Sequence, residues 1–145
     1  MARFSTSLMV ALVLGACGTS DSGPAVQIST SADPETAYSE MFVQVAVASF
    51  LGNSCGSQGI KTAFGSLTQA VNIGERQLRK AGYDEAGLAR ARVKETQKSA
   101  DDRAGAAIDY LQDRGARPSD LSSACQVGLQ EIEKQTFVGT LLRRV

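Results

Sequence analysis

From Asp33 onward the apolar residues recur at three- and four-residue intervals, and the breaks between these runs are Gly and Pro. That spacing builds amphipathic helices, and no hairpin signal separates the runs. The first run starts sharply. Asp33 can cap, Pro34 suits the first helical position because its missing N–H is not needed there, and Glu35 favours the positive end of the dipole. Tyr38, Met41, Phe42, Val45, Ala48 and Ser49 then keep one face. Val43, Val47 and Phe50 widen that face, which predicts a helix buried on most sides. Gly52-Asn53-Ser54 ends it just before Cys55, and Ala46, Ala48 and Gly52 permit close approach of a neighbour.

A second helix is expected from about Gln58 to Ala81, with Ile60, Phe64, Leu67, Val71 and Leu78 on its face. Its end is marked by Ala81-Gly82-Tyr83, a left-handed glycine followed by a ring that can fold back. Asp84 caps a short third helix, Glu85 to about Lys94, anchored by Leu88 and Val93. The fourth, about Thr96 to Arg114, carries a seam of Ala100, Ala104, Ala107, Ile108 and Leu111 with Tyr110 at its edge. Gly115 and Pro118 stop it. Ser119 or Asp120 then caps a last helix from Leu121 to about Arg143. Its face is Leu121, Cys125, Gly128, Leu129, Ile132, Thr136, Gly139 and Leu142, and Arg143 and Arg144 suit its negative end. The fold class is therefore all-α: a compact bundle of four to five helices over residues 33–145. Gly74, Gly87, Gly105, Gly128 and Gly139 fall inside these helices, where glycine costs roughly 1 kcal/mol relative to Ala. Close helix crossings explain them best.

The residues before Asp33 read differently. Arg3 precedes the uncharged run Leu8 to Leu14, which is the pattern of a secretory leader. The run is far short of the roughly 20 apolar residues needed to span a bilayer. Leu14-Gly15-Ala16-Cys17 closes it in the pattern of a bacterial lipobox, where cleavage before the cysteine leaves it to carry lipid. The expectation is a lipoprotein signal peptide at 1–16, acylated Cys17 as the mature N-terminus, and the lipid bilayer as its partner. A buried N-terminal helix and a signal cut elsewhere are the competing readings. Gly18 rather than Asp after the cysteine points by analogy to the outer membrane over the inner. Gly18 to Ala32, rich in Ser, Thr and Gly with Pro24, is expected as a flexible tether over 17–32.

Composition excludes more chemistry than it offers. With 15 basic and 15 acidic residues the formal charge is zero, so no nucleic-acid partner is expected. There is no histidine, which removes Ser-His-Asp and Cys-His catalysis and most zinc sites. No phosphate loop, metal-ligand spacing or nucleophile elbow occurs, and no cofactor is expected. Asp109 and Asp113, four apart with Asp101 and Asp102 earlier on the same helix, could act as paired carboxylates on a glycosidic bond. A solvated helix face is the plainer account. Arg90, Arg92, Lys94 and Lys98 make a basic strip that could meet anionic lipid or glycan, against the plainer account of an ordinary charged surface.

A set of short motifs carries a resemblance. These are Cys55 after an apolar helix, Ala81-Gly82-Tyr83-Asp84, and Tyr110-Leu111 with Gly115. Cys125-Gln126-Val127-Gly128, Glu131-Ile132 and Val138-Gly139-Thr140-Leu141-Leu142-Arg143 follow. Over Tyr38 to Val145 the chain resembles a family of small secreted proteins from marine and phototrophic alphaproteobacteria, catalogued only as a domain of unknown function. The resemblance implies a compact helical domain with two paired cysteines and implies no activity. Its members carry an ordinary signal peptide, so the lipobox is a departure. Cysteine parity agrees with the pairing. With Cys17 given to lipid, Cys55 and Cys125 remain as an even pair in an oxidising compartment, and two independent buried thiols are the alternative. The missing histidine, the lack of a convergent polar cluster and the helical, glycine-punctuated body favour a non-catalytic envelope lipoprotein with a protein partner, with a cell-wall-active enzyme or enzyme inhibitor as the alternative.

Overall fold

Asp33 opens the folded chain as expected. Its carboxylate accepts from the backbone N–H groups of Glu35 and Thr36, and the helix α1 runs Pro34–Ser54. The computed structural model describes residues 33–145; the expected signal peptide, tether and Cys17 lie outside the described residues. After α1 come a single 3-10 turn, Gly56–Gln58, and the strand β1, Ile60–Thr62. Helices α2 (Leu67–Lys80), α3 (Glu85–Thr96), α4 (Ala100–Gln112) and α5 (Leu121–Glu133) follow. One helical turn, α6 (Phe137–Thr140), and the strand β2 (Leu142–Arg144) complete the domain. The fold is mostly helical, with five helices of seven residues or more.

α1 is the hub. Ala37, Tyr38, Met41, Gln44, Val45, Val47, Ala48 and Leu51 are buried around its circumference. Each large apolar side chain so buried contributes roughly 1.5–3 kcal/mol. α2, α3, α4, α5, α6 and β1 all pack against it, whereas α2, α3 and α4 touch one another little. Small residues set the close approaches. Gly52 lies against the backbone of Thr62, where a Cβ would meet the Thr62 nitrogen at 2.6 Å. Gly74 faces Met41, Gly87 faces Pro34, and Gly128 faces Ile60 and Leu51. Gly105 is the exception, with open space beside it.

The expected second and last helices are each shorter than the periodicity indicated. Ile60 belongs to a strand, and α2 begins only at Leu67, capped by Ser66, whose hydroxyl accepts from the Gln69 N–H. The last helix stops at Glu133. There Gln135 takes a left-handed conformation (φ 51°), its N–H bonds the Ile132 carbonyl, and the Thr136 N–H bonds the Glu131 carbonyl. That is the glycine-type helix stop built with glutamine. The same pair of bonds closes α2 at Gly82 and α4 at Gly115, where the residue is glycine and the stop was legible. Beyond Thr136 the chain folds back so closely that a Cβ on Gly139 would fall inside the Glu131 carbonyl. Arg143 and Arg144 therefore sit on β2, not at a helix end. β2 pairs antiparallel with β1, Ile60 opposite Arg144, Lys61 opposite Arg143 and Thr62 opposite Leu142.

Several apolar assignments change with the packing: Phe50, Leu67 and Leu121, expected on buried faces, are exposed. Val93 is 59% exposed and Ala91 takes its place in the core beside Leu88. On α4 only Leu111 of the expected seam is fully buried, while Ala100, Ala104 and Ile108 face outward. α4 itself starts four residues late, at a capping box in which Ser99 and Asp102 satisfy each other's backbone N–H.

The two cysteines pair. Cys55 follows α1, Cys125 lies on the buried face of α5, and their Cα atoms are 5.6 Å apart across a sequence separation of 70. Both are fully buried.

Two stability outcomes follow from this architecture. Replacing Cys55 and Cys125 together by Ala should destabilise the domain by about 4 kcal/mol, the loop-closure entropy of that separation. Guanidinium unfolding of exported protein measures it, and a midpoint equal to the parent's would show the bridge contributes nothing. Gln135→Gly should instead stabilise by about 0.5–1 kcal/mol, because left-handed strain is relieved and only partly offset by unfolded-chain entropy. Urea titration reads this directly; a lower midpoint would contradict the strain.

Candidate functional site

Three glutamates are buried; sequence reading named Glu131 only as part of a resemblance motif and singled out neither Glu75 nor Glu95. Glu75 on α2, Glu95 on α3 and Glu131 on α5 are 2%, 4% and 5% exposed. Burying an unpaired carboxylate is costly, so their partners decide what they do.

Glu75 is held on both oxygens. Arg92 of α3 donates from Nε at 2.9 Å and from a terminal nitrogen at 2.6 Å, and the Tyr38 hydroxyl of α1 donates at 2.9 Å. Arg79 adds a 3.5 Å ion pair from the next turn of α2. Burial first, and then the hydrogen bond to Glu75, push the Tyr38 phenol up to about 12. Glu131 is built alike. Arg114, just beyond α4, donates from Nε at 3.0 Å, the Tyr110 hydroxyl stands 3.5 Å away, and Thr136 donates its hydroxyl. The Arg114 guanidinium lies 3.5 Å from the Tyr110 ring centre. Burial and then the Glu131 charge raise the Tyr110 phenol as well.

Glu95 pairs with Lys98 at 2.8 Å and lies 3.9 Å from Arg103 Nε. Arg103 of α4 also donates to the Glu95 backbone carbonyl at 2.8 Å and sits over the Phe42 ring at 5.5 Å. The three carboxylates thus join successive helices: α2 to α3, α3 to α4, and α4 to α5. They are fasteners with their charge already matched.

Three of the four residues of the expected basic strip meet acids, and Arg90 stands exposed on α3. Arg92 serves Glu75, Lys94 pairs with Glu35, and Lys98 bonds both Glu95 and the Ser39 hydroxyl. These lysines border a cleft of about 280 Å³ between α1 and α3, lined also by Glu35, Ser39, Glu40 and Glu95. Asp109 and Asp113 stand exposed on the solvent side of α4, and Asp102 is committed to the capping box. Among the described residues no group of three or more acids or cysteines is placed to hold a metal. Cys17 lies outside the described residues; Cys55 and Cys125 are joined.

The buried acids had a legible signal. Glu75 follows Val71 by four residues and precedes Leu78 by three, and Glu95 follows Leu88 and Ala91 by seven and four. Both lie on the core face by spacing alone.

Tyr38 makes the arrangement testable by pH. Its ordinary value is 10.0 and its folded value about 12, so the folded state keeps a proton that the unfolded chain gives up. Stability from this group is fully present below pH 10 and is lost as pH rises towards 12. The loss from one such group approaches about 1.4 kcal/mol per pH unit. Tyr38→Phe should lower stability by about 1 kcal/mol at neutral pH and flatten the alkaline decline. Urea melts at pH 9 and pH 11 compare the two; an unchanged slope would remove Tyr38 from this account.

Comparison with known proteins gives a family and no activity. No curated protein matches the chain. No solved structure matches it either. The family of unknown function DUF5333 matches over residues 31–143, which takes in every helix described above and all but the last residue of β2. The chain belongs to that family.

Proposed function

We propose that this protein is a lipid-anchored protein of the bacterial envelope, whose helical domain serves as a non-catalytic binding or accessory module. The observation that carries the reading is the Cys55–Cys125 disulfide, fully buried and closing most of the domain. Such a bond belongs to an oxidising compartment outside the cytoplasm. The Leu14-Gly15-Ala16-Cys17 junction supplies the route there and the anchor. Among the described residues no helix is long and apolar enough to cross a membrane, so the lipid on Cys17 is what would hold the protein to one. The outer membrane is the favoured site by the residue after the cysteine, and an envelope protein is the favoured partner. The non-catalytic part of the reading rests on how charge is used. The buried carboxylates are matched by guanidinium or ammonium groups that fasten helices, and the Asp109–Asp113 pair stands in open solvent.

Cys17→Ser should release the protein from the membrane fraction into the soluble extracytoplasmic fraction. A single acyl chain anchors only marginally, whereas several on one cysteine hold firmly. Fractionation of the native host, with mass spectrometry of the mature N-terminus, makes the measurement. An unmodified Cys17 in mature protein would refute the anchor.

A further inference from the structure

The β1–β2 ribbon carries a charge arrangement that its own stability does not explain. Lys61 stands directly opposite Arg143, and Arg144 is the next residue along β2. Like charges facing each other across an antiparallel pair are destabilising. All three side chains are exposed, and the ribbon strands contain no acid to separate them. Arg92, Lys98 and Arg114 are each spent on a buried carboxylate elsewhere in the fold. The ribbon cations enter no ion pair of this kind.

The ribbon is also rigidly placed. Ile60 and Leu142 are buried beneath it, the Ile60 N–H bonds the Cys55 carbonyl beside the disulfide, and Thr62 lies against Gly52. It therefore caps the C-terminal end of α1, while the chain enters at Pro34 beside Asp33, Glu35 and Glu40. At 1.5 Å per residue those two ends are roughly 30 Å apart. Even with a carboxylate at Val145, the ribbon end keeps a net positive charge.

We infer that the β1–β2 ribbon is an electrostatic docking surface for an anionic phospholipid bilayer, contacted by Lys61 and Arg143, which share its outward face, with Arg144 exposed at its end. The choice of a bilayer rests on the anchoring reading above. From Cys17 to Ala32 the chain can reach at most about 55 Å, more than the length of α1, so the basic end can turn down onto the membrane that holds the lipid. Tethering then raises the local concentration of the surface the ribbon meets.

The test uses unlipidated mature protein, the Cys17→Ser chain, sedimented with vesicles of phosphatidylglycerol and phosphatidylcholine in equal parts, and with phosphatidylcholine alone. Binding should require phosphatidylglycerol and vanish at high salt. Each cation near such a surface is worth about fivefold, so Lys61→Gln, Arg143→Gln and Arg144→Gln together should weaken binding roughly a hundredfold. The same variant should melt at or above the parent temperature, because a repulsion has been removed. Arg76→Gln, Lys80→Gln and Arg90→Gln together change the net charge equally at other exposed positions and should leave most of the binding. If the triple ribbon variant fails to fold, Lys61→Gln alone must still lose about fivefold. No binding to phosphatidylglycerol vesicles, an equal loss in both triple variants, or retention on an anionic glycan without vesicle binding would each overturn the inference. The protein tested carries no lipid, so the outcome is independent of whether Cys17 is acylated.

Discussion

A helix that is apolar on nearly every side must be covered on nearly every side, and α1 imposes that condition on the whole domain. Tyr38, Met41, Val45, Val47 and Leu51 together leave no broad face for water. Five shorter helical elements and a strand therefore gather round it rather than stacking in two layers. Because α2, α3 and α4 meet α1 far more than one another, the hydrophobic effect fixes each of them at its radius but does little to fix its neighbour.

The buried glutamates supply what that arrangement lacks. Glu75 and Glu131 reach across to the adjacent helix, each met by a guanidinium and further donors, and Glu95 is met by Lys98 with Arg103 of α4 bonded to its backbone carbonyl. Such pairs are a poor source of net stability because desolvation offsets most of the attraction. They are strongly directional, however, and a carboxylate with the wrong neighbour would be left buried and unpaired. Their role is accordingly one of specificity: they select which helix sits beside which. Tyr38 and Tyr110 repeat the solution, a phenol and a guanidinium on one carboxylate, at two places far apart in the chain.

The distribution of charge separates structural from outward-facing groups. Arg92, Lys94 and Lys98 are matched with acids, so most of the strip that looked basic in sequence is neutralised in space. The ribbon, which looked like an ordinary helix end, sets Lys61 opposite Arg143 with no acid on either strand. The disulfide beneath it ties the end of α1 to α5 and holds the ribbon's base in place.

What the chain determined locally could be read without the fold. The start of α1 follows from Asp33, Pro34 and Glu35, and the stops after α2 and α4 follow from Gly82 and Gly115, because caps and left-handed glycines depend on a few adjacent residues. Helical class and the pairing of Cys55 with Cys125 were legible for similar reasons, from spacing and from parity joined to the resemblance. The ribbon was not. Ile60–Thr62 is a strand only because Leu142–Arg144 lies beside it, and that partner is supplied by a chain reversal at Gln135, a residue with no intrinsic left-handed preference. The reversal is held by Thr136 and by the contact of Gly139 with Glu131, both of which exist only once α6 has docked. Val93 and Ala91 exchanged roles for the same cause: helical spacing names two neighbouring stripes, and only the position of α1 decides which one is covered.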